Sequence, residues 1–255
     1  MERGPTSFWE VVKKSSLILA FEIFGTCFLV IFQRMLSGVM LALGYWLLIA
    51  LSYNISGSHY NPAITAACMF RKNVGRFPRW LGVAYIACQA IGAFAGALLS
   101  FMWTRNGGSL AIEDSKHVFQ AMGIEACGTF FFVSIFLINT EFNSRFFHEP
   151  GLRFLAISAA YVWAIEFSRE LAGGSMNPAY GLWVNITMLM HDGSGSALKW
   201  IWLYTLVPLC GSALALIFHE FVFKKTLEGI EKTEREERAS NDQAIYNPPS
   251  IGNDD

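Results

Sequence analysis

The sequence predicts an all-α membrane protein, with six transmembrane helices and two half-helices that re-enter the bilayer, arranged as an inverted repeat. Three observations predict it. Of the 255 residues, 53% are hydrophobic and only 15% charged, against about 25% charged in an ordinary soluble domain. The charges gather at the ends and in short connectors, which leaves long apolar runs. The triplet Asn-Pro-Ala occurs twice, as Asn61-Pro62-Ala63 and Asn177-Pro178-Ala179, each with a glycine four positions before the Asn (Gly57 and Gly173). The halves around the triplets echo one another. Glu22-Ile-Phe-Gly-Thr26 returns as Glu125-Ala-Cys-Gly-Thr129, and Gln89-Ala-Ile-Gly92 returns as Pro208-Leu-Cys-Gly211.

In chain order, residues 1–16 form a polar N-terminal arm. Residues 17–103 make the first repeat, 104–118 a connecting loop, 119–223 the second repeat and 224–255 a charged C-terminal tail. The first span is Leu17–Phe32, and Gln33 and Arg34 mark the break before the second, Ser37–Asn54. The first triplet opens a half-helix over Pro62–Phe70. Asn is a good N-cap, and Pro suits the first helical position because its missing N–H has no intrahelical partner there. Nine residues reach about 14 Å at 1.5 Å per residue, half of the ~30 Å hydrocarbon core. The third span is Trp80–Trp103, with Gly92 and Gly96 as a small-xxx-small packing face. The fourth is Phe119–Asn139 and the fifth Phe154–Phe167. A second half-helix follows over Pro178–Met190, and the sixth span is Trp200–Phe223. No cleavable signal peptide is expected, since the apolar run from Leu17 is close to spanning length and no small-residue cleavage site follows it. Trp9, Trp80, Trp103, Trp200 and Trp202 fall near span ends, as an aromatic belt does.

Three spans per half is an odd number, so the second half enters from the opposite side and the two broken segments meet near the midplane. Irregular backbone at that depth must be buried in protein or line a water-filled cavity. Facing half-helix N-termini each carry about half a positive charge. They oppose cations and hydrated protons, while Asn61 and Asn177 offer N–H donors and the loop carbonyls accept hydrogen bonds from a neutral solute. Orientation follows from Lys and Arg. Arg3, Lys13, Lys14, Arg71, Lys72, Arg76, Arg79, Arg145, Arg153, Lys224 and Lys225 share the side of the termini, eleven against the five of Arg34, Arg105, Lys116, Arg169 and Lys199. Both termini are therefore expected on the cytoplasmic-equivalent side of some membrane, an organelle's included.

The pattern Glu-x-x-Gly-Thr, Ser56-Gly-Ser-His-Tyr-Asn-Pro-Ala63 and Gly173-Gly-Ser-Met-Asn-Pro-Ala179 resembles the aquaporin (major intrinsic protein) family, over about Leu17 to Phe223. The resemblance implies an aquaporin-like fold, a pore in each subunit and usually a homotetramer. It places a selectivity filter at Ile165, Gly174, Tyr180 and a span-two position among Leu41, Ala42 and Leu43, with Leu41 preferred. Most of the family has an arginine after the second triplet. Here Tyr180 stands there, and Gly181 stands where aquaglyceroporins carry Asp. Two readings follow: an apolar filter that passes less polar or larger neutral solutes, or a pore plugged by Tyr180. Arg169 is an alternative source of filter charge, set against a surface pair with Glu166. Glu22 and Glu125 read as braces for their own loops, with a proton relay as the alternative. His59 reads as a pH-sensing vestibule residue or as a hydrogen-bonded loop histidine. Asn54-Ile-Ser56 and Asn185-Ile-Thr187 match the glycosylation pattern but fall at membrane depth.

The net charge of −1 builds no basic face for nucleic acid. The five cysteines (Cys27, Cys68, Cys88, Cys127, Cys210) have no paired or metal-ligand spacing and read as buried free thiols. With no nucleophile–base pair, metal cluster or phosphate loop, the expectation is a non-enzyme without metal or cofactor. The tail mixes signs and reads as a short helix fraying into disorder. Two functions compete. One is a passive channel for water or small neutral solutes. The other is an aquaporin-fold structural subunit of a larger membrane complex, impaired in transport and held through its termini.

Overall fold

The chain forms a bundle of helices, with no strand among the described residues; the computed structural model describes residues 8–72, 77–106, 110, 112, 115–193 and 195–246. Arg3, Arg76 and the Pro248–Pro249 pair lie outside them, as does the side chain of Trp9. The helices are α1 (Phe8–Met35), α2 (Gly38–Ser56), α3 (Pro62–Phe70), α4 (Arg79–Thr104), α5 (Val118–Thr140), α6 (Pro150–Ala172), α7 (Pro178–Asp192), α8 (Ile201–Ile217) and α9 (Lys224–Tyr246), with a π-helical segment, Phe218–Phe223, joining the last two. Five of the helical stretches are long and apolar enough to cross a membrane. The sixth, α6, has the length but carries Arg153, Glu166, Arg169 and Glu170. The outer surface is apolar, with Val39, Leu47, Val83, Ile91, Leu206 and Leu214 all exposed.

The repeat is visible in the packing. Helix α1 lies along α4, and α5 lies along α8 in the same way. Glycines set both crossings. A Cβ on Gly92 would lie 2.3 Å from the Ile23 carbonyl oxygen, and one on Gly211 would lie 2.5 Å from that of Ala126. Thr26 and Thr129 sit at these crossings and bond back to the carbonyls of Glu22 and Glu125 at 2.7 and 2.8 Å. The half-helices α3 and α7 pack against α8 and α4 respectively.

Several boundaries differ from the sequence reading. Helix α1 starts at Phe8, inside the polar arm, and runs through Gln33 and Arg34 to Met35. The break is Leu36–Ser37, with Gly38 at φ +51°. Helix α6 continues past Phe167 because Glu166 and Arg169, one turn apart, pair through two bonds of 2.7 and 2.8 Å, and Gly173 then ends it in a left-handed cap. The connecting loop is not wholly polar surface: Leu110 and Ile112 are buried, and Leu110 packs on Gly173. The cysteines are all free, but only Cys68 is buried, while Cys127 and Cys210 are exposed on the outer face.

The tail is a 23-residue helix rather than a short one. Ion pairs of Glu231 with Arg235, Lys232 with Glu236 and Glu234 with Arg238, all i,i+4, support it. Its first residue anchors it. The Lys224 ammonium lies 2.9 Å from Glu141 and 3.3 Å from Glu220, and His219 sits 3.5 Å from each carboxylate. This cluster fastens the π-helical segment to the end of α5.

Candidate pore

Two short loops, Gly57–Tyr60 and Gly173–Met176, return the chain to α3 and α7. They have matching backbones. Gly57 (φ +84°) and Gly173 (+77°) cap α2 and α6. Ser58 (+53°) and Gly174 (+73°) follow, and Tyr60 (+50°) and Met176 (+52°) precede the two Asn residues. Positive φ at Ser58, Tyr60 and Met176 is uncommon for side-chain-bearing residues and requires support from outside the loop.

The carboxylates supply part of that support. Glu22, on α1, is inaccessible to solvent and accepts four hydrogen bonds: from the Ser56 hydroxyl (2.7 Å), the His59 N–H (3.1 Å), the Tyr60 N–H (2.8 Å) and the Gln89 amide (2.8 Å). Glu125, on α5, is equally buried and accepts from the Met176 N–H (2.7 Å) and the Ser168 hydroxyl (3.3 Å), with the Ser175 N–H also turned toward it. Gln89 reaches on to Thr65 at 2.8 Å, and Thr65 meets His59 at 3.2 Å. His59 is thus a hydrogen-bonded loop histidine, packed among Phe77, Tyr85 and Phe136.

The two Asn residues bind each other's loops. Each caps its own half-helix: Asn61 Oδ1 accepts from Ala63 N–H at 2.8 Å, and Asn177 Oδ1 from Ala179 N–H at 3.0 Å and Tyr180 N–H at 3.4 Å. Pro62 and Pro178 take the first helical positions. The amide nitrogens cross over. Asn61 Nδ2 donates to the Met176 carbonyl at 2.9 Å, and Asn177 Nδ2 to the Tyr60 carbonyl at 3.0 Å. An amide NH2 has two donors, so Asn61 keeps one N–H beyond its bond across the junction, while Asn177 also hydrogen-bonds the Tyr161 hydroxyl. Both residues are 0% exposed to solvent.

The expected filter positions fall in two packing clusters. Leu41 is buried while Leu43 faces outward, which fixes the inward register of α2. Leu41 and Ile165 share one core cluster; Ala179 and Tyr180 belong to the other. Gly174 lies directly on Ile165, since a Cβ there would stand 2.7 Å from the Ile165 carbonyl oxygen. At Gly181 a Cβ would meet Tyr204 at 2.5 Å and its carbonyl at 2.7 Å, so the fold leaves no room for a carboxylate. Arg169 is spent on Glu166 at the exposed end of α6.

Two residues that sequence reasoning treated as a break come to this region. Gln33 Nε2 donates to the carbonyls of Gly174 (2.9 Å) and Ser175 (3.4 Å), and its Oε1 accepts from the Tyr161 hydroxyl at 2.5 Å. Tyr161 packs against Tyr45 and Phe132, with ring centroids at 5.0 and 4.8 Å, and also interacts with the Asn177 side chain. The Arg34 guanidinium bonds the Asn106 carbonyl. Their placement one turn before the end of a long apolar helix was the available signal.

Comparison with known proteins agrees with this architecture. The family model described as "Major intrinsic protein" matches residues 13–219. The rice protein "Probable aquaporin PIP2-2" (Oryza sativa subsp. japonica) is 28% identical over 187 residues, covering 70% of this chain. The chain spans 62% of that relative's length. "Glycerol uptake facilitator protein-like 6" of Lactiplantibacillus plantarum is 30% identical over 167 residues, 63% of this chain and 72% of that protein. Among solved structures, the aquaglyceroporin from Plasmodium falciparum superposes with a TM-score of 0.67 at 18% identity, over 84% of this chain and 99% of that one. On the extent of the family match, helix for helix around two cross-bonded Asn-Pro-Ala loops, the chain belongs to the major intrinsic protein family.

Proposed function

We propose that the chain is a passive transmembrane channel for water or small neutral solutes, with a path between the two loops. The observation that carries this reading is the junction of two Asn-capped half-helices, with Asn61 keeping one N–H beyond its bond across the junction and Asn177 also reaching the Tyr161 hydroxyl. Facing helix N-termini make the junction positive, which opposes cations while a neutral solute is oriented by donors. Glu22 and Glu125 act as loop braces. Leu41, Ile165, Gly174 and Tyr180 form the filter, which carries no charge of its own and one hydroxyl. With Gly181 packed on Tyr204, the aquaglyceroporin carboxylate has no counterpart, and the likeness to an aquaporin and to a glycerol uptake facilitator leaves water and small polyols as solutes to be compared directly. Both termini lie on the cytoplasmic-equivalent side, and the subunit assembles as a homotetramer.

Stopped-flow light scattering of proteoliposomes tests the reading. Faster osmotic shrinkage than empty liposomes is expected for water, and glycerol and urea gradients then rank the solutes. Rates equal to empty liposomes for all three would sink it. One observation favours the second reading, a transport-impaired structural subunit of a larger membrane assembly: solvent reaches neither Asn. On that reading α9 is the docking element, and the protein purifies from its native membrane with other subunits.

A further inference from the structure

We propose that Gln33 and Tyr161 form a polar latch that closes the path between the filter positions and the Asn junction, and that withdrawal of Gln33 from the second loop opens it. The inference rests on the channel reading above. Four helices send one side chain each to the same place: Gln33 from α1, Tyr45 from α2, Phe132 from α5 and Tyr161 from α6. The three aromatic residues are 0% exposed, whereas Gln33 is partly exposed. Gln33 thus stands between accessible surface and the fully buried Asn61 and Asn177.

The chemistry of the contact makes it a latch rather than packing alone. The carbonyls of Gly174 and Ser175 are the acceptors that an irregular loop offers to a solute stripped of its hydration. The Gln33 amide occupies both from the opposite half of the molecule. Its own carbonyl is held by the Tyr161 hydroxyl, and the Tyr161 ring is wedged between Tyr45 and Phe132. A solute with N–H or O–H donors can replace each bond that the amide gives up, so exchange is open to polar solutes and not to apolar ones.

The test compares the full-length protein with Gln33→Ala and Tyr161→Phe in liposomes at equal protein density, read by stopped-flow water permeability. Each variant is expected to exceed the wild type by about tenfold, the population shift equivalent to removing one or two ordinary hydrogen bonds from the closed state. Tyr161→Phe keeps the ring and its contacts, and misfolding lowers permeability rather than raising it. Lys225→Ala, far from the path, is expected to leave the rate unchanged. Variants no faster than the wild type overturn the latch. If the wild type then still exceeds empty liposomes, the channel reading stands and the latch alone falls. A wild type at the empty-liposome rate with faster variants supports the latch and refutes conduction by the resting chain.

Discussion

The two Asn-Pro-Ala loops share a backbone but not a bracing. The first is held by four donors on Glu22, and Gln89 extends the network through Thr65 to His59. The second has three donors at Glu125, the Met176 and Ser175 N–H groups and the Ser168 hydroxyl, and Pro208 stands at the position that echoes Gln89. Buried polar groups are stabilised when their network is complete and costly when it is not. The first loop thus has the larger polar network, although the Gln89 side-chain oxygen is buried without a partner in it. The second leaves its carbonyls to be satisfied from elsewhere, and Gln33 of the opposite half does so. The difference teaches where change is tolerated: the same fold keeps one loop fixed and leaves the other adjustable.

Removing the carboxylates should have the largest effect. Glu22→Ala strands four buried donors, at about 1–3 kcal/mol for each buried group left unsatisfied, so a loss of at least ~4 kcal/mol or failure to yield monodisperse protein is expected. Glu125→Ala also impairs folding, by roughly three quarters as much on the same scale. Thermal unfolding midpoints in detergent decide it, and equal losses would show that the loops are braced alike. Next come the crossings. Gly92→Ala and Gly211→Ala both push a methyl against a backbone carbonyl, and about 1–3 kcal/mol is expected for each. Near-equal losses confirm that the scaffold is symmetric where the loops are not; a large difference removes that contrast. The smallest effect is a gain. Pro208→Gln gives α8 back a backbone N–H and the second half an amide beside Glu125, and a rise in the unfolding midpoint worth about 1 kcal/mol is expected. A fall would mean that the echo between Gln89 and Pro208 does not extend to their surroundings.

What could be read in the sequence was the chemistry that is local or repeated. Asn-Pro at a helix start, glycine four residues before it, and a glutamate in an apolar span each carry their reason within a few residues. The crossings could be read because Gly92 and Gly211 recur in matching contexts. Contacts that join distant parts of the chain could not. Gln33 bonds a carbonyl 141 residues away, and nothing in Gln33-Arg34 distinguishes that reach from a break between spans. The charged end of α6 concealed its length because Glu166 and Arg169 neutralise each other within one turn. The tail was read as short because its ion pairs support a helix only once its first residue is anchored, and the groups that anchor Lys224 lie on Glu141 and Glu220.

The crossed Asn bonds set a clock on biogenesis. Asn61 needs the carbonyl of Met176, 115 residues later in the chain. At the ~5–20 residues per second of synthesis, that carbonyl emerges on the order of ten seconds after Asn61 does. Glu22 is made before either loop and holds the first one in waiting, since every donor it binds is complete once Gln89 has been made. The brace of the first loop is therefore complete in the chain before the second loop is made.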